Sequence, residues 1–115
     1  MGLRFYFYLD GNGIYGCITC KTHLLMDESV LSKAKRLSLF HGLHGPAYLA
    51  PQLVNIVESE PKERAMSTGM HTVRDIRCCK CDTLLGWHYI HAYNPQNKYK
   101  EGKYLLEESR LIVLS

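Results

Sequence analysis

The sequence predicts a mainly β fold of antiparallel sheets, with at most one or two short helices. Short segments rich in β-branched and aromatic residues recur along the chain. Turn residues such as Asp10-Gly11-Asn12-Gly13 separate them. Two Cys-x-x-Cys pairs lie far apart, Cys17 with Cys20 and Cys78 with Cys81. Because four thiolates suit a structural zinc ion, we predict one zinc that clips one end of the domain to the other.

The first half of the chain contains predicted strands and one segment with helical spacing. Aromatic and apolar residues predict strands over residues 3–9, 14–17 and 22–25. In residues 29–40, apolar side chains recur at helical intervals with basic residues between them, which indicates either a short amphipathic helix or a structured loop. Gly42, Gly45 and Pro46 end this segment.

The second half reads as strands and turns. Strands are predicted over residues 47–50 and 53–57, which Pro51 separates, and over 73–78, 84–91, 104–106 and 111–114. Asn94-Pro95 and Glu101-Gly102 are predicted turns.

Length and composition predict one intracellular domain, residues 1–115. A chain of 115 residues is long enough to bury one modest core. The net charge of +3 is too small to indicate a nucleic-acid partner by itself. No apolar run approaches the roughly twenty residues of a membrane span, and residues 1–6 lack the pattern of a signal peptide. We therefore expect no membrane partner.

Other chemistries also use paired cysteines. Redox pairs usually precede a helix, and neither pair here is followed by a helical period. Structural disulfides are typical of secreted proteins, and Cys79 would leave an odd cysteine. Zinc is therefore the preferred interpretation, with redox and disulfide chemistry as the alternatives.

Several motifs resemble the Yippee domain in the order of that family. They are YGCITCKTHL, GPAYL, LVNIVES, TGMHTVRDIRC, CCKCDTLLGWHYIHAY and NKYKEGKYLLE. The resemblance covers a core of about residues 15–107, and the opening MGLRFYFYL is similar to the fungal branch. It places the zinc ligands on Cys17, Cys20, Cys78 and Cys81, whereas Cys79 falls where the family tolerates other residues. The spacing agrees, because two residues separate Cys78 from Cys81.

The resemblance implies a β-tent, in which one structural zinc pins two antiparallel sheets at one end. Cereblon's thalidomide-binding domain, the Mis18 centromere proteins and B-type methionine sulfoxide reductases share this architecture, so the fold does not fix the function. It further implies a non-catalytic adaptor or regulator in nucleus and cytoplasm. The expected partners are other proteins, among them subunits of a GID/CTLH-type ubiquitin ligase, with roles in stress survival or cell-division control. Residues 27–46, longer than usual for the family, are a candidate contact.

No catalytic constellation is visible, so we expect no enzyme activity. Cys79 lies between two predicted ligands and has no partner for acid–base chemistry. The histidines are interpreted as packing, hydrogen-bonding or surface groups because four thiolates already complete a zinc tetrahedron. Asp75, on the strand before Cys78, is a candidate hydrogen-bond partner for a ligand or for a turn.

Two alternative functions stay open. Trp87, Tyr48 and Tyr89 are candidates to line a hollow that binds a small molecule, as aromatic residues do in the cereblon domain. Basic side chains interleaved with tyrosines are a weak indication of nucleic-acid binding. These basic residues form two groups, Lys33, Lys35 and Arg36, then Lys98, Lys100 and Lys103.

Overall fold

The computed structural model describes Leu9 and residues 13–26, 41–42 and 45–114, and it contains two antiparallel sheets. The small sheet has three strands in the order β10-β1-β2, with bounds β1 Ile14–Cys17, β2 His23–Met26 and β10 Leu111–Val113. The large sheet runs β3-β4-β9-β8-β7-β5. Its strands are β3 His41–Gly42, β4 Gly45–Ala50, β5 Ile56–Glu58, β7 Gly69–Cys78, β8 Leu84–Ala92 and β9 Tyr104–Glu107.

A further strand, β6 (Lys62–Met66), shares an edge of β7 with β5. The end of β7 near Cys78 pairs with β5, and its beginning pairs with β6. The sequence did not predict β6, because its residues KERAM lack the apolar alternation of a half-buried strand. Its side chains are exposed or only partly buried, so pairing with β7 rather than burial specifies it.

Each face of the large sheet contributes to a buried cluster. Side chains alternate between faces along a strand, so neighbours in β4 enter different clusters. The first cluster joins the large sheet to the small one and includes Leu24, Tyr48, Ile76 and Leu106. The second lies on the opposite face and contains Ala47, Leu49, Val73, Trp87, Tyr89 and Leu105.

The described residues confirm a mainly β fold with two antiparallel sheets. The strands predicted at 14–17, 22–25, 47–50, 73–78, 84–91, 104–106 and 111–114 are present within a few residues of those bounds. Two short 3-10 helices, Pro95–Lys100 and Glu108–Arg110, are the helical elements of the described part. The predictions for residues 3–8 and 29–40 lie outside the described residues. Within the described ranges, no helix has the length and apolar character needed to span a membrane.

The prediction of a strand over residues 53–57 was wrong for its first half. The strand begins at Ile56, because Asn55 adopts a left-handed backbone conformation with φ of 60°. The Asn55 side-chain amide donates to the carbonyl of His23 at 2.7 Å, and its own carbonyl accepts from the N–H of Cys79 at 2.9 Å. Asn55 therefore links the small sheet to the turn after β7.

An acidic side chain fastens β6 to the sheet. The Asp75 carboxylate lies 2.6 Å from the Lys62 ammonium and 2.9 Å from the Arg64 guanidinium. Burial acts to raise the pKa of Asp75, but hydrogen bonds and charge from Lys62 and Arg64 outweigh it and hold the pKa below its usual value. The interpretation of Asp75 as a partner of a zinc ligand is replaced by this role at the sheet edge.

Replacing Asp75 by Asn removes both ion pairs and should lower the free energy of unfolding at neutral pH. The loss should be only about 1 kcal/mol, because both ion pairs are partly exposed. The folded-state pKa is depressed, so the stabilisation is present above the unfolded pKa of about 3.9 and is lost as pH falls through the folded pKa. Urea unfolding of both proteins across this pH range measures the difference. Glu60→Gln, at an exposed carboxylate, is the control. Equal stability of wild type and Asp75→Asn at neutral pH would contradict this role.

Candidate metal centre

Two turns bring four cysteine sulfurs together. Cys17 ends β1 in the small sheet and Cys78 ends β7 in the large one, and each is followed by a turn that carries the second cysteine of its pair. The Sγ atoms of Cys17, Cys20, Cys78 and Cys81 all lie within 4.8 Å of one another. Two short Sγ–Sγ distances cross between the turns, 3.5 Å from Cys17 to Cys81 and 3.5 Å from Cys20 to Cys78. The cluster therefore joins the two sheets.

The two turns, called knuckles below, have the same backbone hydrogen bonds. The N–H of Cys17 donates to the carbonyl of Thr22 at 2.9 Å, and the N–H of Cys78 donates to that of Thr83 at 3.0 Å. In each knuckle the residue after the second cysteine donates back to the carbonyl of the first, at 2.7 Å and 2.9 Å. The shared pattern Cys-x-x-Cys-x-Thr thus folds into the same turn twice.

The residue after the second cysteine has a left-handed backbone conformation in both knuckles. Lys21 has φ of 64° and Asp82 has φ of 65°. This conformation costs a residue with a Cβ roughly 1 kcal/mol, whereas glycine adopts it freely. Asp82→Gly should therefore raise the free energy of unfolding by about 0.5–1 kcal/mol. Chemical denaturation measures the change. Asp82→Ala also removes the carboxylate but keeps Cβ and with it the backbone penalty, so an equal effect of the two substitutions would contradict this explanation.

The sulfur cluster has the dimensions of a zinc site. A tetrahedral ion with Zn–S bonds of about 2.3 Å separates its sulfurs by about 3.8 Å. The separations here, two of 3.5 Å and none above 4.8 Å, fit that geometry. They are far longer than a disulfide bond of about 2.05 Å, and all five cysteines are free. The donor set is consistent with one structural zinc ion.

The thiols of the cluster differ in acidity. Burial is the main reason that the pKa of Cys78 rises to about 12. Burial acts in the same direction on Cys81, but hydrogen bonds from the Thr83 hydroxyl and backbone N–H contribute to lowering its pKa to about 6. Four thiols in one place do not all ionise without a compensating charge. A bound dication supplies that charge and binds the sulfurs as thiolates.

The hydroxyls of the knuckle threonines contact the sulfur cluster, which the sequence interpretation did not predict. Thr22 Oγ1 lies 3.0 Å from the sulfur of Cys20, and Thr83 Oγ1 lies 3.1 Å from that of Cys81. The repeated Cys-x-x-Cys-x-Thr pattern was the signal that could have identified them.

In the part of the chain that the structure describes, Cys79 and the histidines do not belong to the sulfur cluster. The four sulfurs that come together do not include Cys79, which is half-buried and donates its N–H to Asn55. The nearby histidines make hydrogen bonds or ion pairs elsewhere, in keeping with the interpretation given to them. Their partners are the Leu9 N–H for His23, the Gly69 carbonyl for His71, Glu58 for His88 and Glu101 for His91.

Of the three candidate pocket residues, the structure brings together only two. Trp87 and Tyr89 belong to the second core cluster and meet edge to face, with ring centroids 6.2 Å apart. Tyr48 packs in the first cluster, where its ring lies 5.3 Å from that of Tyr15 and its hydroxyl donates to Glu108 at 2.8 Å. Trp87 pairs with Leu105 of β9 and Tyr48 with the next residue, Leu106, so the two side chains lie on opposite faces of the sheet.

The second basic group is engaged within the fold. Lys98 pairs with Glu101 at 3.0 Å, and the Lys103 ammonium donates to the carbonyl of Tyr99 at 2.7 Å. Lys100 is only 5% exposed and lies beside the rings of Tyr89 and Tyr99. These lysines do not form an open row for phosphate binding. The first basic group, Lys33, Lys35 and Arg36, lies outside the described residues.

Comparisons with known proteins agree with this fold and site. Residues 13–115 match the Yippee–Mis18 family, described as "Yippee zinc-binding/DNA-binding /Mis18, centromere assembly". A yippee-like protein of Solanum tuberosum is 44% identical over 111 residues, which cover 96% of this chain and 81% of that protein. One from Schizosaccharomyces pombe is 45% identical over 93 residues, 81% of this chain and 67% of that protein. Human yippee-like 4 is 41% identical over a region that covers 85% of this chain and 73% of that protein.

The fold and the four-sulfur cluster define a zinc-binding β domain. The chain belongs to the Yippee family, as the matched residues and these identities show. A crystal structure of the Mis18 'Yippee-like' domain has the same fold, with a TM-score of 0.67 over 89% of this chain and 94% of that chain. At 12% identity this likeness concerns the fold alone.

Proposed function

We propose that Cys17, Cys20, Cys78 and Cys81 hold the zinc ion and that the domain is a non-catalytic adaptor that binds other proteins. The observation that carries the zinc assignment is the convergence of four sulfurs from two different sheets within 4.8 Å. Four thiolates complete a tetrahedron and leave no position for a reacting water molecule or substrate. The ion therefore supplies cross-linking rather than catalysis. In this proposal the zinc site joins the two sheets of a single domain, residues 1–115.

An exposed apolar and aromatic surface supports the adaptor role. Met70 lies on β7 and is 42% exposed, and Tyr93 lies just after β8 and is 48% exposed. The two residues are neighbours, because the Tyr93 N–H donates to the Met70 carbonyl at 3.2 Å. His91 meets the Tyr93 ring edge to face at 4.5 Å. Methionine and tyrosine are enriched at protein interfaces. We call Met70, His91 and Tyr93 the Met70 surface and propose that it contacts the partner together with residues 27–46.

The proposed partners are subunits of a GID/CTLH-type ubiquitin ligase, in a setting of stress survival or cell-division control in nucleus and cytoplasm. Affinity purification from the native host with mass spectrometry tests this proposal. We expect ligase subunits with the wild type and their loss with Met70→Lys. Val57→Lys, at a similarly exposed position of β5, is the control and should retain them. Recovery of RNA alone, released by moderate salt, would favour nucleic-acid binding instead.

A second candidate function, small-molecule binding, is favoured by unpartnered polar atoms beside Tyr89. Among the described residues, Nε2 of His71 and Nε1 of Trp87 are buried and have no hydrogen-bond partner. The His71 and Tyr89 rings lie 5.3 Å apart, and the Lys100 ammonium lies 5.5 Å from the Tyr89 ring. Buried polar atoms normally have partners, so a small polar molecule or water suits this place.

A fragment screen by thermal shift tests small-molecule binding. A fragment that raises the melting temperature of the wild type should lose its effect with Trp87→Phe, which keeps an aromatic ring and removes the indole N–H. An unchanged shift with that variant would contradict a site at Trp87.

A further inference from the structure

Each knuckle carries one threonine hydroxyl at hydrogen-bond distance from a sulfur. The pairs are Thr22 with Cys20 at 3.0 Å and Thr83 with Cys81 at 3.1 Å. Thr83 Oγ1 also lies 2.9 Å from Thr19 Oγ1, and Thr19 belongs to the other knuckle. The second hydroxyl contact therefore connects the two knuckles outside the sulfur cluster.

Zinc binding fixes the direction of these hydrogen bonds. A metal-bound thiolate has no hydrogen, so the threonine hydroxyl must be the donor. The half-buried Thr83 hydroxyl donates to the exposed Thr19 Oγ1, and because it has a single hydrogen it cannot donate to Cys81 at the same time. A zinc-bound thiolate of Cys81 is a charged and therefore stronger acceptor, so it competes with Thr19 for this hydrogen.

The hydroxyls meet the two more accessible sulfurs. Cys17 and Cys78 are 0% and 1% exposed, and burial alone protects them from reagents in water. Cys20 and Cys81 are only partly buried. We propose that Thr22 and Thr83 shield the zinc-bound thiolates of Cys20 and Cys81 from electrophiles and slow the release of zinc, while Thr19 competes with Cys81 for the Thr83 hydroxyl. This inference rests on the proposed zinc site.

The chemical reason is that a thiolate reacts through a lone pair on sulfur. A hydroxyl that donates to the sulfur withdraws electron density from that lone pair, and hydrogen bonds to metal-bound sulfur are known to tune such sites. N-ethylmaleimide is a suitable probe. The sulfur lone pair forms a C–S bond at the alkene, the alkene electrons take a proton from water, and the Zn–S bond breaks as the thiolate becomes a thioether.

The experiment uses the zinc-loaded full chain with Thr22→Val or Thr83→Val, which remove a hydroxyl and keep the branched shape. Zinc release to a colorimetric chelator is followed with and without N-ethylmaleimide, and mass spectrometry identifies the first cysteine modified. We expect release to be on the order of tenfold faster than in the wild type. Cys20 should be modified first in Thr22→Val and Cys81 first in Thr83→Val. Thr22→Ser and Thr83→Ser keep the hydroxyl and should behave like the wild type.

Two further variants keep the test decisive. Thr72→Val removes a hydroxyl on β7 that lies 3.4 Å from the Tyr93 hydroxyl, outside the sulfur cluster, and should leave zinc release unchanged. Thr19→Val alters an exposed turn position, so it should fold even if the other valine variants do not, and because it leaves the Thr83 hydroxyl to Cys81 alone it should slow modification of Cys81 but not of Cys20. Wild-type rates in folded, zinc-loaded Thr19→Val, Thr22→Val and Thr83→Val would overturn the inference. Absence of zinc from the wild type would instead refute the proposed zinc site.

Discussion

Serine at any one of Cys17, Cys20, Cys78 or Cys81 is expected to leave the chain largely unfolded. Structural zinc contributes about 10–16 kcal/mol in small zinc-finger peptides, which equals or exceeds the roughly 5–15 kcal/mol that stabilises a typical domain. The ion also joins two knuckles that are far apart in sequence and lie on different sheets. Circular dichroism and the yield of soluble protein measure the loss.

The control for this prediction is Cys79→Ser. Cys79 lies within the second knuckle but outside the cluster of four sulfurs, so its replacement should leave zinc content unchanged and the melting temperature within a few degrees. A Cys20→Ser protein that lacks zinc and unfolds at the wild-type temperature would contradict a structural role for the ion.

Gly86→Ala is expected to cause the second largest loss, on the order of 3 kcal/mol or more, because overpacking against backbone is poorly relieved. A Cβ at this position would lie 1.9 Å from the carbonyl oxygen of Leu105 and 2.9 Å from its carbonyl carbon. Gly86 pairs with Leu106 in the middle of the large sheet, so β8 and β9 would have to separate. Urea denaturation measures the change.

Gly102→Ala provides the matched comparison. Gly102 is left-handed with φ of 81°, and a Cβ there would meet no atom of the described residues within 4 Å. Its replacement should cost only about 1 kcal/mol, the penalty of the backbone conformation. Equal losses for Gly86→Ala and Gly102→Ala would show that close approach of the strands is not the reason for glycine at position 86.

The parts of the site that are local in sequence could be predicted. Each knuckle places two cysteines on one short turn, so the Cys-x-x-Cys spacing alone identifies Cys17, Cys20, Cys78 and Cys81. Most strands were also predictable, because alternating apolar residues mark a half-buried segment. Gly86 lies inside such a segment, and a glycine there signals a close backbone approach.

Features that depend on strand pairing could not be predicted. Tyr48, Trp87 and Tyr89 are all buried aromatic residues, but only the register with β9 reveals that Tyr48 faces the small sheet and Trp87 the opposite side. Likewise β6 has a polar sequence, and its place at the sheet edge follows from pairing with β7 and from the ion pairs of Asp75.

The most direct test of the central claim is metal analysis of the purified full chain combined with X-ray absorption at the zinc edge. A structural zinc held by the four thiolates predicts one zinc per chain and four sulfur neighbours at about 2.3 Å. A folded chain without metal, or a zinc ion whose neighbours include nitrogen or oxygen in place of a sulfur, would contradict it.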